Sequence, residues 1–312
     1  MSATAWTDNS PAPLSNWPIR SWAGSPDPQA LAVVGYRLSQ LTERCPAWVE
    51  RHKATLFDLR QPHSPARTWL TYGQPGGAFA LVDRAELAEL LVAPPTVDTP
   101  AAGTGDERSR DRDALAAVRR AQQRVDATLD RVAWALLDAG APLGPVRDFF
   151  RQVAGRPRGA EAVSQLLSCV AWRTAKGPSD ASERAVAVWE AALDAGLPSA
   201  ALAGAGEFAY STGLDDETWL TLTRRTAEQE LGLNPAHAVA QRAAGHPDSP
   251  DALIIAARLL GAPLEPFHKM EVRRQADALL RAAKDSPQWR ALQSALVDAG
   301  EVQAAFVQPA NT

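Results

Sequence analysis

Cys45, His52, Asp58 and His63 are the only cluster of reactive side-chain types along this 312-residue chain. A thiol, two imidazoles and a carboxylate are the raw material of a thiolate nucleophile with its base, or of a zinc centre. Their spacing argues against both. With 46–58 helical and Cys45 at its start, Cys45 and His52 stand about 10 Å apart on nearly the same face. A thiolate–imidazolium pair needs about 3 Å. The segment also lacks a tight ligand pair such as Cys-x-x-Cys or His-x-x-x-His. These side chains read as ordinary surface and loop residues. An enzymatic alternative would place its site here, in a closed pocket.

The rest of the chain offers less chemistry. Cys169 lies in the apolar run Leu166–Trp172 and reads as a small core residue. His237 falls in the first turn of a segment opened by Pro235, His246 precedes Pro247 at a loop, and His268 sits between Phe267 and Met270. Gly73–Gly77 has no lysine-serine ending and forms no phosphate-binding loop, and neither a Gly-x-Ser-x-Gly elbow nor a His-Glu-x-x-His helix occurs. No cofactor and no metal are expected.

Composition narrows the class further. The chain is 46% hydrophobic and 22% charged, ordinary for a globular protein able to bury a core. Its formal net charge is −4, and its arginines alternate with acids, as in Arg108–Asp113. That pattern is a solvated face, not a phosphate track. Ten tryptophans could stack on bases, but a nucleic-acid platform also needs clustered positive charge. No nucleic-acid partner is expected. Two cysteines exclude a disulfide scaffold. No run of apolar residues is long enough to span a bilayer, and the N-terminus lacks the features of a signal peptide. The expectation is a cytoplasmic protein with no membrane partner.

The elements that would position any site are legible from a recurring phrase. Ala-Leu-Leu-Asp-Ala-Gly at 135–140, Ala-Ala-Leu-Asp-Ala-Gly at 191–196 and Ala-Leu-Val-Asp-Ala-Gly at 295–300 each close an apolar-periodic segment. Helices that end in glycine and restart after a short break suggest stacked helical hairpins. Gly140 and Gly196 are 56 residues apart and Gly300 lies 104 beyond, spacings that suit no common repeat. The pattern resembles a HEAT-like array in architecture alone, with a compact helical bundle as the alternative. Asp138, Asp194 and Asp298 recur within the phrase. Each is expected to accept a hydrogen bond from a neighbouring hairpin. If the repeats stack, the three form a row on one rim, open to a basic partner.

Apolar periodicity predicts helices at 28–44, 46–57, 84–91, 112–139, 143–154, 159–175, 181–195, 199–211, 215–231, 235–244, 249–260, 265–284 and 287–299. Trp134, Trp172, Trp189, Trp219 and Trp289 fall inside them and are expected to anchor one hairpin on the next. Thr68–Tyr72 and Ala78–Val82 flank a glycine-rich turn and predict a β-hairpin, whose edge at Trp69 and Tyr72 could receive a partner's strand. The domain reading is a Trp-containing leader at 1–27, a small α+β unit at 28–92, a proline-rich linker at 93–107 and a helical repeat-like domain at 108–312. The fold class is mainly α, an irregular helical-hairpin array with that small N-terminal α+β unit. The functional reading is a non-catalytic scaffold or adaptor with a protein partner. The alternatives are the enzyme above and a small-molecule-sensing helical domain whose tryptophans line a cavity.

Overall fold

The computed structural model describes residues 27–73, 78, 81–93, 107–138, 143–175, 179–229 and 232–310. The leader tryptophans Trp6, Trp17 and Trp22, most of the expected linker, and Gly140 lie outside the described residues. Among the described residues the secondary structure is helical throughout, with no strand. The chain divides into two compact units, residues 1–74 and 75–312. No helix of the described residues is long and apolar enough to cross a membrane.

Unit 1 contains α1 (Pro28–Tyr36), α2 (Leu38–Arg44), α3 (Pro46–Leu56) and α4 (Pro65–Tyr72). The helix expected over 28–44 is broken at Arg37, whose φ of −100° and ψ of 8° leave the helical region. Asp27 accepts from the Gln29 amide and Pro28 occupies the first turn, so α1 starts where a cap and a proline coincide. α1 packs on α4, and α2 on α3 and α4. A side chain on Gly35 would meet the Pro65 carbonyl and the Cβ of Thr68, so glycine there permits the close α1–α4 approach.

The β-hairpin expectation is corrected. Thr68–Tyr72 is the second half of α4, which Ser64 caps by accepting from the Arg67 amide at 3.3 Å, with Pro65 at the first position. Ala66, Trp69 and Leu70 are buried, at helical and not alternating spacing. The β-branched and aromatic residues of 68–72 imitate a strand, but the Ser-Pro start decides the matter. The small α+β unit is therefore helical in its described residues.

Unit 2 carries α5 (Arg84–Val92), α6 (Glu107–Leu136), α7 (Gly144–Ala154), α8 (Gly159–Thr174), α9 (Ser179–Leu193), the short α10 (Ser199–Leu202) running into a 3-10 segment (Ala203–Tyr210), α11 (Asp216–Ala227), α12 (Ala236–Ala244), α13 (Pro250–Leu260), α14 (Pro266–Ala282), α15 (Pro287–Asp298) and a closing 3-10 turn (Val302–Phe306). The sequence reading groups α5 with the N-terminal unit; α5 packs on α6, α7 and α8. The helix expected over 199–211 tightens after Leu202. Side chains on Gly204 and Gly206 would overlap the Ser164 and Asn234 backbones, so these glycines let neighbouring chain segments approach closely. Asp215 caps α11, accepting from the Thr218 amide at 2.8 Å. Pro235 precedes α12 without a side-chain cap, and the Asn234 amide donates to the Ala203 carbonyl at 2.9 Å.

The packing has an order the sequence spacing obscures. α5, α7, α9, α11, α13 and α15 pack in succession, each on the element two places earlier. α6, α8, the 203–210 segment, α12 and α14 do the same in a second row. We call these the odd and even rows. Their shared core holds Leu166, Leu167, Trp189, Phe208, Trp219, Leu259 and Leu292, all buried. The result is an all-helical, repeat-like bundle with irregular packing, since a 3-10 segment stands in one even position.

Candidate protein-interaction surface

The residues expected to do chemistry are not assembled into a centre. Cys45 sits between α2 and α3, half-buried. His52 lies on α3 with Nδ1 2.8 Å from the Trp48 carbonyl oxygen and its ring stacked on the Trp48 indole, 4.5 Å between centroids. Asp58 is held in a turn, accepting from the Arg60 amide and Gln61 Nε2, each at 3.0 Å. His63 is exposed in the loop before α4. Among the described residues no group of three or more His, Cys, Asp or Glu is placed to hold a metal ion.

Of the expected binding residues, Trp69 is buried, and its Nε1 donates to Ser39 Oγ at 2.8 Å. Tyr72 is 64% exposed at a shallow apolar groove of about 560 Å³ lined by Ala32, Val33, Tyr36, Arg37 and Thr68. The three recurring aspartates are exposed, but at unlike places. Asp138 follows an even-row helix, whereas Asp194 and Asp298 close odd-row helices. Arg225 Nη2 donates to Asp194 at 3.1 Å, as a structural acceptor requires. Asp138 faces Arg184, whose Nε donates to the Leu136 carbonyl at 2.9 Å. Arg151 Nε donates likewise to the Ala195 carbonyl at 3.0 Å. The first two phrases are thus helix ends whose orphan carbonyls are satisfied by arginines from neighbouring helices.

The surface that the sequence reading missed lies on the even row. Trp189, Trp219 and Trp289 are buried anchors, as expected, but Trp134 is 42% and Trp172 57% exposed. Helical geometry dictates this. On α6 the buried positions include Leu129, Val132, Ala133 and Leu136; on α8 they include Leu167, Val170, Ala171 and Thr174. Each tryptophan stands just off that stripe and points outward. Tyr210, Phe267 and Met270 are likewise exposed on the even row. Among the described residues, no α-helix of the odd row exposes a large apolar side chain, although Leu143 just before α7 and Val302 and Phe306 of the closing turn packed on α15 are exposed.

These groups connect from element to element. Arg173 on α8 pairs with Asp130 on α6 and places its guanidinium 4.7 Å from the centroid of the Trp134 ring. Thr174 Oγ1 lies 3.3 Å from Ser211 Oγ, a buried link between the end of α8 and the end of the 3-10 segment, while Trp172 stands on the opposite, exposed face of α8. The Tyr210 hydroxyl lies 3.4 Å from His237 Nε2 on α12. The His237 ring stacks on His268 of α14 at 5.2 Å, and Phe267 meets His268 edge-on at 5.9 Å. Exposed rings thus recur along the even row, with Arg173 over Trp134 at one end and a contact series from Tyr210 through His237 and His268 to Phe267 at the other; we call the set the aromatic ribbon. A spacing of 38 residues separates Trp134 from Trp172 and Trp172 from Tyr210, the signal that could have revealed it in the sequence.

The ribbon's titratable groups have unequal surroundings. Burial raises the Glu207 carboxyl above its ordinary value. Burial and then the Glu207 charge raise the Tyr210 phenol. Burial, with Asp130 and Asp126 adding to it, pushes the Cys169 thiol up to about 11, so it is no nucleophile at neutral pH. No protein-family model matches the chain, and no curated protein or solved structure does either.

Proposed function

We propose that the chain is a non-catalytic protein-binding scaffold or adaptor whose docking face is the even-row aromatic ribbon. One observation carries this reading: in the two packed rows, exposed Trp, Tyr, Phe and Met side chains fall on the even row, Phe306 of the closing turn on α15 excepted. Aromatic residues dominate the energetics of protein interfaces, and contiguous exposed apolar surface is uncommon without a partner. The succession of rows favours a HEAT-like array, in which adjacent elements supply a continuous surface. In this reading Tyr72 contributes a second contact at the unit 1 groove, and Asp138, Asp194 and Asp298 serve helix ends before they serve a partner.

The test is quantitative capture from the native host with the full chain and with a Trp172→Ala/Tyr210→Ala variant. A stoichiometric protein retained by the first and lost by the second supports the scaffold. Equal retention, or no partner on either, sinks it.

A further inference from the structure

We infer that the unit 1 groove is filled by the chain's own leader: the segment Trp17–Trp22 folds back from Asp27 and lays its indoles between α1 and α4. This goes beyond the scaffold reading, in which a partner then reaches Tyr72 by displacing the leader.

The composition of α1 calls for a cover. Among the described α-helices of eight residues or more, α1 alone carries no charged residue, its sequence being Pro-Gln-Ala-Leu-Ala-Val-Val-Gly-Tyr. A helix that is apolar all round is normally buried all round. In α1, Val34 is 3% exposed, whereas Val33 and Tyr36 are 43% and 45% exposed. With Tyr72 of α4 these two side chains wall the groove of about 560 Å³. Arg37 at its rim donates to Gln40 Oε1 at 3.1 Å and lies 5.5 Å from the Tyr36 ring centroid. The walls are otherwise uncharged and suit an aromatic occupant.

The leader has the matching composition. Three of the ten tryptophans fall in the 26 residues before Asp27. Indoles are seldom left in water without a use. Trp17, Pro18, Ile19 and Trp22 form its densest apolar stretch.

The point of attachment favours the leader over any other occupant. It joins α1 at Asp27, whose carboxylate caps the helix by accepting from the Gln29 amide at 3.0 Å. Val33 and Tyr36 lie about 8 and 12 Å along α1 from Pro28. Trp22 stands five residues before Asp27, an extended reach of about 17 Å, and Trp17 ten residues before, about 34 Å. Gly24, Ser25 and Pro26, in between, are residue types that reverse a chain. A segment tethered this closely meets the groove at an effective concentration of about millimolar, well above that of a second copy in dilute solution.

The test uses the purified full chain with no partner present, so its outcome is independent of the even-row reading. A photo-activatable phenylalanine analogue replaces Tyr72, and adducts are mapped by peptide mass. The expected product is a monomer cross-linked from position 72 to the leader, at a yield independent of protein concentration. The yield should fall about tenfold in Trp17→Ser/Trp22→Ser. Arg20, the one basic residue of the leader, gives a second readout as a trypsin site. Tyr36→Ser/Tyr72→Ser changes two exposed side chains and should speed native-state cleavage after Arg20 by about tenfold, with little change in urea unfolding. No adduct with the leader, an equal yield without the two tryptophans, or cleavage unaffected by the groove variant overturns the proposal. An adduct between two copies that grows with concentration also overturns it, and assigns the groove to a second copy.

Discussion

The indole of Trp189 lies flat against the ring of Phe208, with centroids 4.4 Å apart and planes within 6° of parallel. Trp189 belongs to the odd row and Phe208 to the even row, and both are fully buried. The indole Nε1 also donates to Thr226 Oγ1 on α11 at 3.1 Å, so one side chain ties three elements together. Trp189→Ala should cost about 3–5 kcal/mol by denaturant unfolding, from lost burial plus the cavity left behind. Trp172→Ala, on the exposed face, should cost no more than about 0.5 kcal/mol, yet lose partner binding. The same substitution at two tryptophans thus separates folding from recognition.

Cys169 should be the slow thiol. With its pKa pushed up to about 11, almost none is thiolate at pH 8. Titration of the native protein with a chromogenic disulfide should show a slow thiol that disappears in Cys169→Ser. A fast Cys169 would contradict the burial described for α8.

Glu207 and Asp215 should give opposite pH responses. A carboxyl raised in the folded state, such as Glu207, contributes its stability below the unfolded pKa and loses it as pH rises through the folded one. Glu207→Gln should therefore be more stable than the natural chain at pH 7, with the gain vanishing below about pH 4. The Thr218 amide holds Asp215 below its ordinary value, so its contribution is present above the unfolded pKa and fades as pH falls through the folded one. Asp215→Ala should cost about 1 kcal/mol at pH 7 and less in acid. Urea titrations at pH 7 and pH 3 check both.

Gly196 and Gly300 should resist substitution for a backbone reason. Their φ values are +65° and +97°, a region that costs other residues about 1–2 kcal/mol. Gly196→Ala should lower the unfolding midpoint although nothing lies within 4 Å of the added methyl. Gly300→Ala should behave the same way.

These two glycines also show what was legible in the sequence. Glycine after a periodic segment correctly marks the ends of α9 and α15, and proline at the first turn marks α3, α13, α14 and α15. Helix positions were therefore local information, and most were read to within a few residues. The repeat was not. The phrases ending at Gly140 and Gly196 close helices of different rows, so their 56-residue separation is not a structural period. Row membership depends on which element packs two places on, and no local signal carries that. Thr68–Tyr72 failed for another reason: β-propensity was weighed above the Ser64–Pro65 start.

The candidate surface was half legible. Trp134 and Trp172 were noticed but assigned to the core, because tryptophan is usually buried. Their position beside the apolar stripes of α6 and α8 contradicted that assignment within the sequence itself. Tyr210, His237 and His268 gain meaning only through tertiary contact, since 27 and 31 residues separate them in turn.

The most direct test of the central claim places a photo-activatable phenylalanine analogue at position 172 on the even row, or at exposed position 190 on the odd row, in the full chain in its native host. The account predicts a discrete protein adduct at 172 and none at 190. Adducts of equal yield at both positions, or at 190 alone, would contradict it.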